Sequence, residues 1–291
     1  MLIATLAAAH NRRAKTLRAL SSLHAQSWPS DAEVLHVLVD DGSTDGTTEA
    51  VRHAFPDVQI VRGDGTLYWS AGMRFGWERL LQEKDIDALI VYNDDVELHK
   101  DAVQRLLQAS VDLHGSGQAK HVVAAPLTDR LECRTTYGGM VRSISWLPMV
   151  FRLAEPSGSL QRIDTVNMNL ALISKEALQA VGFFSPAYRH NGADFDYGLR
   201  LNKAGGSCWL LDSSAGWCDA NPDEGTSREP GISLLERFRR ATSVREQPVR
   251  QRIHFFRANG GILGLLVVPA YYVKLVMLHL RMAWISQFDN S

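Results

Sequence analysis

Three short acidic stretches hold the side chains best suited to chemistry: Asp40-Asp41-Gly42-Ser43-Thr44-Asp45-Gly46, Asn93-Asp94-Asp95, and Asn191-Gly192-Ala193-Asp194-Phe195-Asp196. The first follows the apolar run Val34 to Val39 and the second the run Ala88 to Tyr92. Both therefore sit at the carboxyl end of an expected strand, where open α/β sheets bind their ligands. Asp, Gly, Ser and Thr are also ordinary turn and helix-capping residues, which is the plain explanation of any one such loop. Sharper readings can be separated by spacing. A calcium loop counted from Asp41 has Arg52 at its twelfth position, where a bidentate Glu is needed. A phosphatase of the dehalogenase type needs an Asp two residues before Asp45, where Ser43 stands. A third reading is a nucleotide-sugar site, in which a strand-end Asp accepts hydrogen bonds from a base or ribose.

Paired oxygen donors at the second strand end suit a hard divalent cation, Mg²⁺ or Mn²⁺, held between protein carboxylates and substrate phosphates. The third stretch opens a helix, where the dipole favours a carboxylate. Asp194 and Asp196 are two residues apart and must point to different sides, so one faces the site and the other is free to pair with Arg200, four residues on. Gly63-Asp64-Gly65-Thr66-Leu67-Tyr68 lacks the third glycine of a dinucleotide fingerprint, and neither GxxxxGK[ST] nor GxSxG occurs.

These residues need a scaffold of alternating strands and helices. Strands are expected at Leu2 to Ala8, Val34 to Val39, Val58 to Val61, Ala88 to Val91, Val122 to Ala125 and Met168 to Ile173. Helices are expected from Ala14 to Leu23, from Thr44-Gly46 to Phe55, over Ala102 to Leu113, from Ser174 to Gly182 and from Phe195 to Ala204. The alternation predicts a mostly parallel sheet. Between Leu127 and Arg162, Gly138-Gly139, Pro148 and Pro156 break the pattern, which predicts a loop-rich or antiparallel insertion.

In 291 residues, 31 Lys plus Arg balance 32 Asp plus Glu, and a net charge of -1 argues against nucleic acid as a partner. Cys133, Cys208 and Cys218 form no CxxC pair, which fits free thiols and a cytoplasmic location better than a disulfide framework or a zinc knuckle. The stretch Met1 to Ala9 reads as a buried first strand rather than a leader. The apolar stretch Ile262 to Ile285 is interrupted by Pro269, Lys274, His279 and Arg281, so contact with a membrane surface is expected rather than a clean span.

Taken in order, Ala9-His10-Asn11-Arg12, Asp40-Asp41-Gly42-Ser43-Thr44-Asp45, Tyr68-Trp69-Ser70-Ala71-Gly72-Met73, Asn93-Asp94-Asp95 and Gly192-Ala193-Asp194 resemble the family 2 inverting glycosyltransferases. The Leu67-Tyr68-Trp69-Ser70 and Asp194-to-Arg200 segments look most like the rhamnosyltransferase type. The resemblance implies a GT-A fold over residues 1–220, with a nucleotide-sugar-binding half at 1–125 and an acceptor and catalytic half at 126–220. A basic, amphipathic helical extension follows at 221–291. It implies that Asp40 and Asp41 contact the donor's base and ribose, with Ala8, Ala9, Asn11, Trp69 and Asp94 completing the donor site. Asp95 matches the second acid of the family's Asp-x-Asp metal motif, and Asn93 replaces its first. Asp194 matches the catalytic base, although Ala193 stands where a Glu commonly precedes it and Arg74 where many members carry Asn.

The implied reaction moves one sugar from a dTDP- or UDP-sugar, dTDP-rhamnose among them, to a hydroxyl of a glycan or lipid-linked acceptor, with inversion. Gln247-Pro248-Val249-Arg250-Gln251 lacks the Trp of the processive members' Gln-x-x-Arg-Trp, which favours single addition. Arg237 to Arg257 holds seven arginines and one acid, Glu246. That stretch is a solvated helix face, a diphosphate clamp or a contact with the inner face of the plasma membrane. Tyr271, Tyr272 and Trp284 are core or contacts of a homodimer formed through the extension. Two readings compete: a silent nucleotide-sugar or glycan-binding protein, suggested by Asn93 and Ala193, and a nucleotidyltransferase, for which Asn11-Arg12-Arg13 is a poor phosphate loop.

Overall fold

The computed structural model describes residues 1–143 and 149–288, with 283–288 described by backbone alone. Pro148 and the side chain of Trp284, both singled out in the sequence, lie outside the described residues.

One eight-stranded sheet carries the molecule. Its strands are β1 (Leu2–Ala9), β2 (Glu33–Asp40), β3 (Gln59–Arg62), β4 (Ala88–Tyr92), β5 (His121–Ala124), β6 (Gln161–Ile163), β7 (Leu170–Ser174) and β8 (Ser207–Leu210), in the spatial order β6-β8-β5-β7-β4-β1-β2-β3. The helices are α1 (Arg13–His24), α2 (Thr47–Ala54), α3 (Tyr68–Gly76), α4 (Ala102–Gly115), α5 (Lys175–Val181), α6 (Ala193–Lys203), α7 (Leu234–Ala241) and α8 (Val249–Phe288). Strand residues alternate between two apolar layers. Leu6, Leu89, Val91 and Ile173 face one side with Met73 and Tyr197, while Ile3, Ile90 and Leu172 face the other with Leu20 and Leu106.

Register brings the strand ends together. β1 runs parallel to both neighbours, pairing Ala9 with Asp40 of β2 and Leu6 with Val91 of β4. β7 departs from the expectation of a mostly parallel sheet: it runs antiparallel to both β4 and β5, and β6 runs antiparallel to β8, so the sheet is mixed. All five residues of β7 are buried, and a strand covered on both faces has the same unbroken apolar pattern in either direction. The reversal matters because Leu170 pairs with Tyr92, which delivers the segment before β7, Asn167 to Asn169, to the same edge as Asn93 to Asp95.

The insertion expected between Leu127 and Arg162 consists of short, largely antiparallel pieces, Gly139–Arg142 pairing with Phe151–Leu153 and Leu127–Thr128 with Thr135–Tyr137. The stretch Tyr68 to Gly76, read in the sequence only as a motif, is the helix α3. Its glycines let it lie close on the sheet, since a Cβ at Gly76 would come within 2.6 Å of Val39 and 2.9 Å of Leu6. Gly198 does the same for α6, where a Cβ would meet Thr165 Oγ1 at 2.5 Å and the Thr165 backbone at 3.1 Å. Gly198→Ala is expected to cost about 1–3 kcal/mol through overpacking. Because α6 carries Asp194, the same change is expected to lower turnover by more than the stability loss explains, measurable by urea unfolding beside initial rates.

The extension differs from the broken apolar run expected of it. α8 is two helical segments that meet at a kink at Gly261 (φ 60°, ψ -149°), the second continuing through Pro269, Lys274, His279 and Arg281. By length and composition, Val249–Met282 is a helix able to cross a membrane, with a mean hydropathy of 2.0 over its best 18 residues, only 11% of them buried. Its first part is packed on the rest of the chain: Asn259 donates to Asp196, Lys203 to the Ala258 carbonyl, and Gln251 to the Asn191 carbonyl. The arginine-rich stretch is substantially paired. Arg240 binds Glu229 and Glu236, Arg239 binds Glu236, buried Arg237 donates to the Ser227 and Glu229 carbonyls, and Arg252 stacks 3.5 Å from the Tyr271 ring centre.

Candidate active site

The first acidic loop is built by its own carboxylates. Asp40 is fully buried at the end of β2, where Oδ1 accepts from the Ser43 amide at 2.9 Å and Oδ2 from the Thr48 hydroxyl. Asp41 accepts three backbone amides, from Gly65 at 2.8 Å, Leu67 at 2.9 Å and Tyr68 at 3.1 Å. Both side chains that the sequence assigns to the donor therefore shape the loops around the strand ends. Asn11 also knits loops, its side chain accepting from the Thr44 amide at 2.8 Å and its backbone amide donating to Ser43 Oγ at 2.9 Å. Ala9 supplies its carbonyl to the Asp41 amide, and half-buried Ala8 lies against α3 at Gly72. Tyr68, held by Asp41, has φ 63°, a left-handed backbone that is costly for a bulky residue and persists only where the surroundings impose it.

The second acidic cluster carries a positive partner that the sequence reading did not assign. One guanidinium nitrogen of Arg12 lies 3.1 Å from Asp94 Oδ1 and 2.9 Å from Asp95 Oδ2, and Lys15 adds a contact of 3.4 Å to Asp95. Burial pushes the Asp94 carboxyl up to about 6, against the pull of Arg12 in the other direction. Two oxygens here have no hydrogen-bond partner although they are buried: Asn93 Oδ1 and Asp94 Oδ2. Two carboxylates and an amide oxygen, with these two acceptors unmet, make a hard donor set that fits Mg²⁺ or Mn²⁺. Among the described residues, the trio of His, Cys, Asp or Glu side chains spaced to share a metal is a different one, His24, His36 and Asp57.

Asp194 lies in the first turn of α6 and is buried. Its Oδ1 accepts from the Phe195 amide at 2.9 Å and its Oδ2 from Asn167 Nδ2 at 3.3 Å. Burial raises its carboxyl to about 6, with nearby backbone amides pulling the other way. Asp196 faces elsewhere, as its spacing from Asp194 requires, binding Arg200 Nε at 2.7 Å and the Tyr188 hydroxyl at 3.1 Å. The third acidic stretch joins the second through the segment before β7: Asn167 reaches Asp194, and the Asn169 carbonyl accepts from the Asn93 amide at 2.9 Å. The first joins the second through Asn11 and Arg12.

Trp69 Nε1, Asn167 Oδ1 and His190 Nδ1, on segments that border this edge, are also buried without partners, as are Tyr197 Oη and, in the extension, Arg237 Nε, Arg252 Nε, Asn259 Oδ1 and Tyr272 Oη. Unsatisfied buried groups are rare enough that a cluster of them calls for a ligand or an ordered water. His190 is pushed down to about 4 by burial, with Arg245 and Arg12 adding to the effect, so it is neutral near pH 7. Its segment is tied to α3, the Ser70 hydroxyl donating to the His190 carbonyl and the Ala71 amide to the Arg189 carbonyl at 3.1 Å. Arg12, Asn167 and His190 carry no spacing signal of their own; Arg12 was visible only within the Ala9-to-Arg12 motif and the Asn11-Arg12-Arg13 run.

Comparison with known proteins agrees with this geometry. Residues 6–124 match the family model described as Glycosyl transferase family 2. Over 241 residues the chain is 21% identical to the low-salt glycan biosynthesis hexosyltransferase Agl10 of Haloferax volcanii, covering 82% of this chain and 76% of that one. The crystal structure of S. aureus TarS 1–349 is similar with a TM-score of 0.53 at 14% identity, covering 89% of this chain and 74% of that one. A crystal structure of GalNAc-T7 with UDP, GalNAc and Mn²⁺ is similar with a TM-score of 0.55 at 17% identity, over 76% of this chain and 45% of that one. The fold is GT-A, and the family model together with the hexosyltransferase relative supports a family 2 glycosyltransferase.

Proposed function

We propose that the protein is an inverting glycosyltransferase that adds a single sugar from a nucleotide-sugar donor, a dTDP- or UDP-sugar with dTDP-rhamnose among the candidates, to a hydroxyl of a glycan or lipid-linked acceptor. The observation that carries this reading is the group of unpartnered buried atoms, Trp69 Nε1, Asn93 Oδ1, Asp94 Oδ2, Asn167 Oδ1 and His190 Nδ1, bordering a buried carboxyl at Asp194. Asn93, Asp94 and Asp95 would hold Mg²⁺ or Mn²⁺, which when bound offsets charge on the departing nucleoside diphosphate. Arg12 keeps Asp94 and Asp95 together, and its charge would attract the donor's phosphates. Asp194 accepts the proton of the acceptor hydroxyl at a carboxylate oxygen while that hydroxyl attacks the anomeric carbon. Asn167 orients the carboxylate through Oδ2. A single displacement needs no covalent enzyme intermediate, and inversion follows.

The experiment is a screen of nucleotide sugars with Mn²⁺ and with Mg²⁺, detecting released nucleoside diphosphate in the presence of glycan and lipid-linked acceptors. Metal-dependent release with one donor is expected. Donor binding with no release under any condition would favour the silent binding protein instead.

Exposed Ile262, Leu263, Leu266, Val273, Met277 and Leu280 on α8 support contact with the inner face of the plasma membrane, next to a lipid-linked acceptor. The full chain is expected to float with anionic vesicles and a chain ending at Gly261 to remain behind. Equal flotation would remove the membrane contact, and a fall from dimer to monomer on truncation would assign the same face to a second copy.

A further inference from the structure

We infer that His24, His36 and Asp57 form a second metal site, for Zn²⁺ or a similar divalent transition metal, built into the scaffold away from the donor site. Three elements supply it: the last residue of α1, the middle of β2 and the loop between α2 and β3. Their ligand atoms all lie within 4.8 Å of one another. The stretch of extended strand from His36 to Asp40 separates it from the acidic loop by about 13 Å.

The hydrogen bond of His24 sets its ring tautomer in the way metal sites require. His24 Nδ1 is 2.9 Å from the Leu20 carbonyl, which can only accept, so Nδ1 carries the hydrogen and Nε2 is the remaining nitrogen. That Nε2 faces both oxygens of Asp57, at 3.0 and 3.2 Å. A neutral ring would turn a lone pair toward a carboxylate there, so a cation belongs between them, either a proton or a metal. His36 Nδ1 is 2.9 Å from the hydroxyl of buried Thr5, which can donate or accept; when it accepts, Nε2 is the free ligand nitrogen. Metal-bound histidines characteristically donate their second ring nitrogen to a carbonyl or another fixed acceptor, which orients the ring. The ring centres of His24 and His36 are 4.7 Å apart. Two imidazole nitrogens and one carboxylate oxygen match the ligand preferences of zinc, with an open position for water. Asp57 is largely exposed, which gives the ion a way in and lets the carboxylate close on it.

The test loads chelator-treated full-length protein with Zn²⁺ and with Co²⁺, then removes excess metal by gel filtration. One equivalent of zinc per chain is expected, with a rise in melting temperature, and Co²⁺ is expected to give the visible absorption of a four-coordinate nitrogen and oxygen site. Asp57→Ala and His24→Gln, both at accessible positions, are expected to lose the bound equivalent and the melting shift. His36→Gln tests the third ligand if it folds, and Asp95→Asn is expected to retain the full equivalent. Absence of bound zinc in the unaltered protein, or its retention in both Asp57→Ala and His24→Gln, would leave an ordinary His24–Asp57 ion pair. Loss only in Asp95→Asn would assign the metal to the donor site.

Discussion

Asp194→Asn is expected to abolish transfer and yet make the protein more stable at neutral pH. Loss of a general base typically costs about 10²–10⁴ in rate. The same carboxyl is buried and raised to about 6. A folded-state value above the unfolded value of about 4 means that the native protein holds this proton more tightly. That contribution to stability is fully present below about pH 4 and is lost as pH rises through about 6, leaving a buried charge that costs roughly 3 kcal/mol at neutral pH. An amide carries no such charge. Asn167 can accommodate it, because its Oδ1 has no partner and can turn to accept from the new side-chain amide. Urea unfolding at about pH 7.5 is expected to give a gain of about 1–3 kcal/mol, shrinking toward zero at about pH 4.5. In the unaltered enzyme, kcat is expected to rise with pH through about 6 and then level off. Turnover retained in Asp194→Asn would remove Asp194 from the mechanism, and a stability change independent of pH would contradict its raised carboxyl.

Asp41→Ala is expected to have the largest effect on folding among single changes near the site. The Asp41 carboxylate is the common acceptor for the Gly65, Leu67 and Tyr68 amides, and it is nearly inaccessible to water. A hydrogen bond to a charged group contributes about 1.5–3 kcal/mol, and a buried donor left without an acceptor costs about as much. Some of these amides will find water, so a loss of roughly 3–5 kcal/mol is expected in urea unfolding. Tyr68 would be released from its left-handed conformation, and α3 would lose the anchor at its amino end. Trp69 and Ser70 follow directly, so donor affinity is expected to fall together with faster proteolysis in the 63–68 loop. A loss below about 1 kcal/mol with donor binding intact would show that the loop holds its shape without Asp41.

The two variants separate roles that the sequence could not. Asp40, Asp41 and Asp194 look alike as acids at the ends of regular elements. Their surroundings divide them: Asp40 and Asp41 have their oxygens committed to hydroxyl and backbone donors that shape the loops, while burial raises the Asp194 carboxyl to about 6 and one of its oxygens meets the Asn167 side chain. The aspartate pair at the end of β2 therefore holds the loops around the strand ends in shape.

Much of the scaffold was determined by local pattern. Apolar runs of a handful of residues specify β1, β2 and β4 because a strand covered on both faces must be apolar throughout, and the acidic turns after β2 and β4 mark where those strands must stop. The pairing of Asp196 with Arg200 was legible for a similar reason, since helical geometry places residues four apart on one face. Strand direction was decided by the tertiary structure. Nothing in Leu170–Ser174 distinguishes parallel from antiparallel, and only its reversed pairing with β4 brings Asn167 to Asp194. Arg12 meeting Asp94 and Asp95 across 82 and 83 residues, and His24 meeting His36 and Asp57, are likewise products of folding. Periodicity reports which side of an element is buried; it carries no information about which distant side chain will be waiting there.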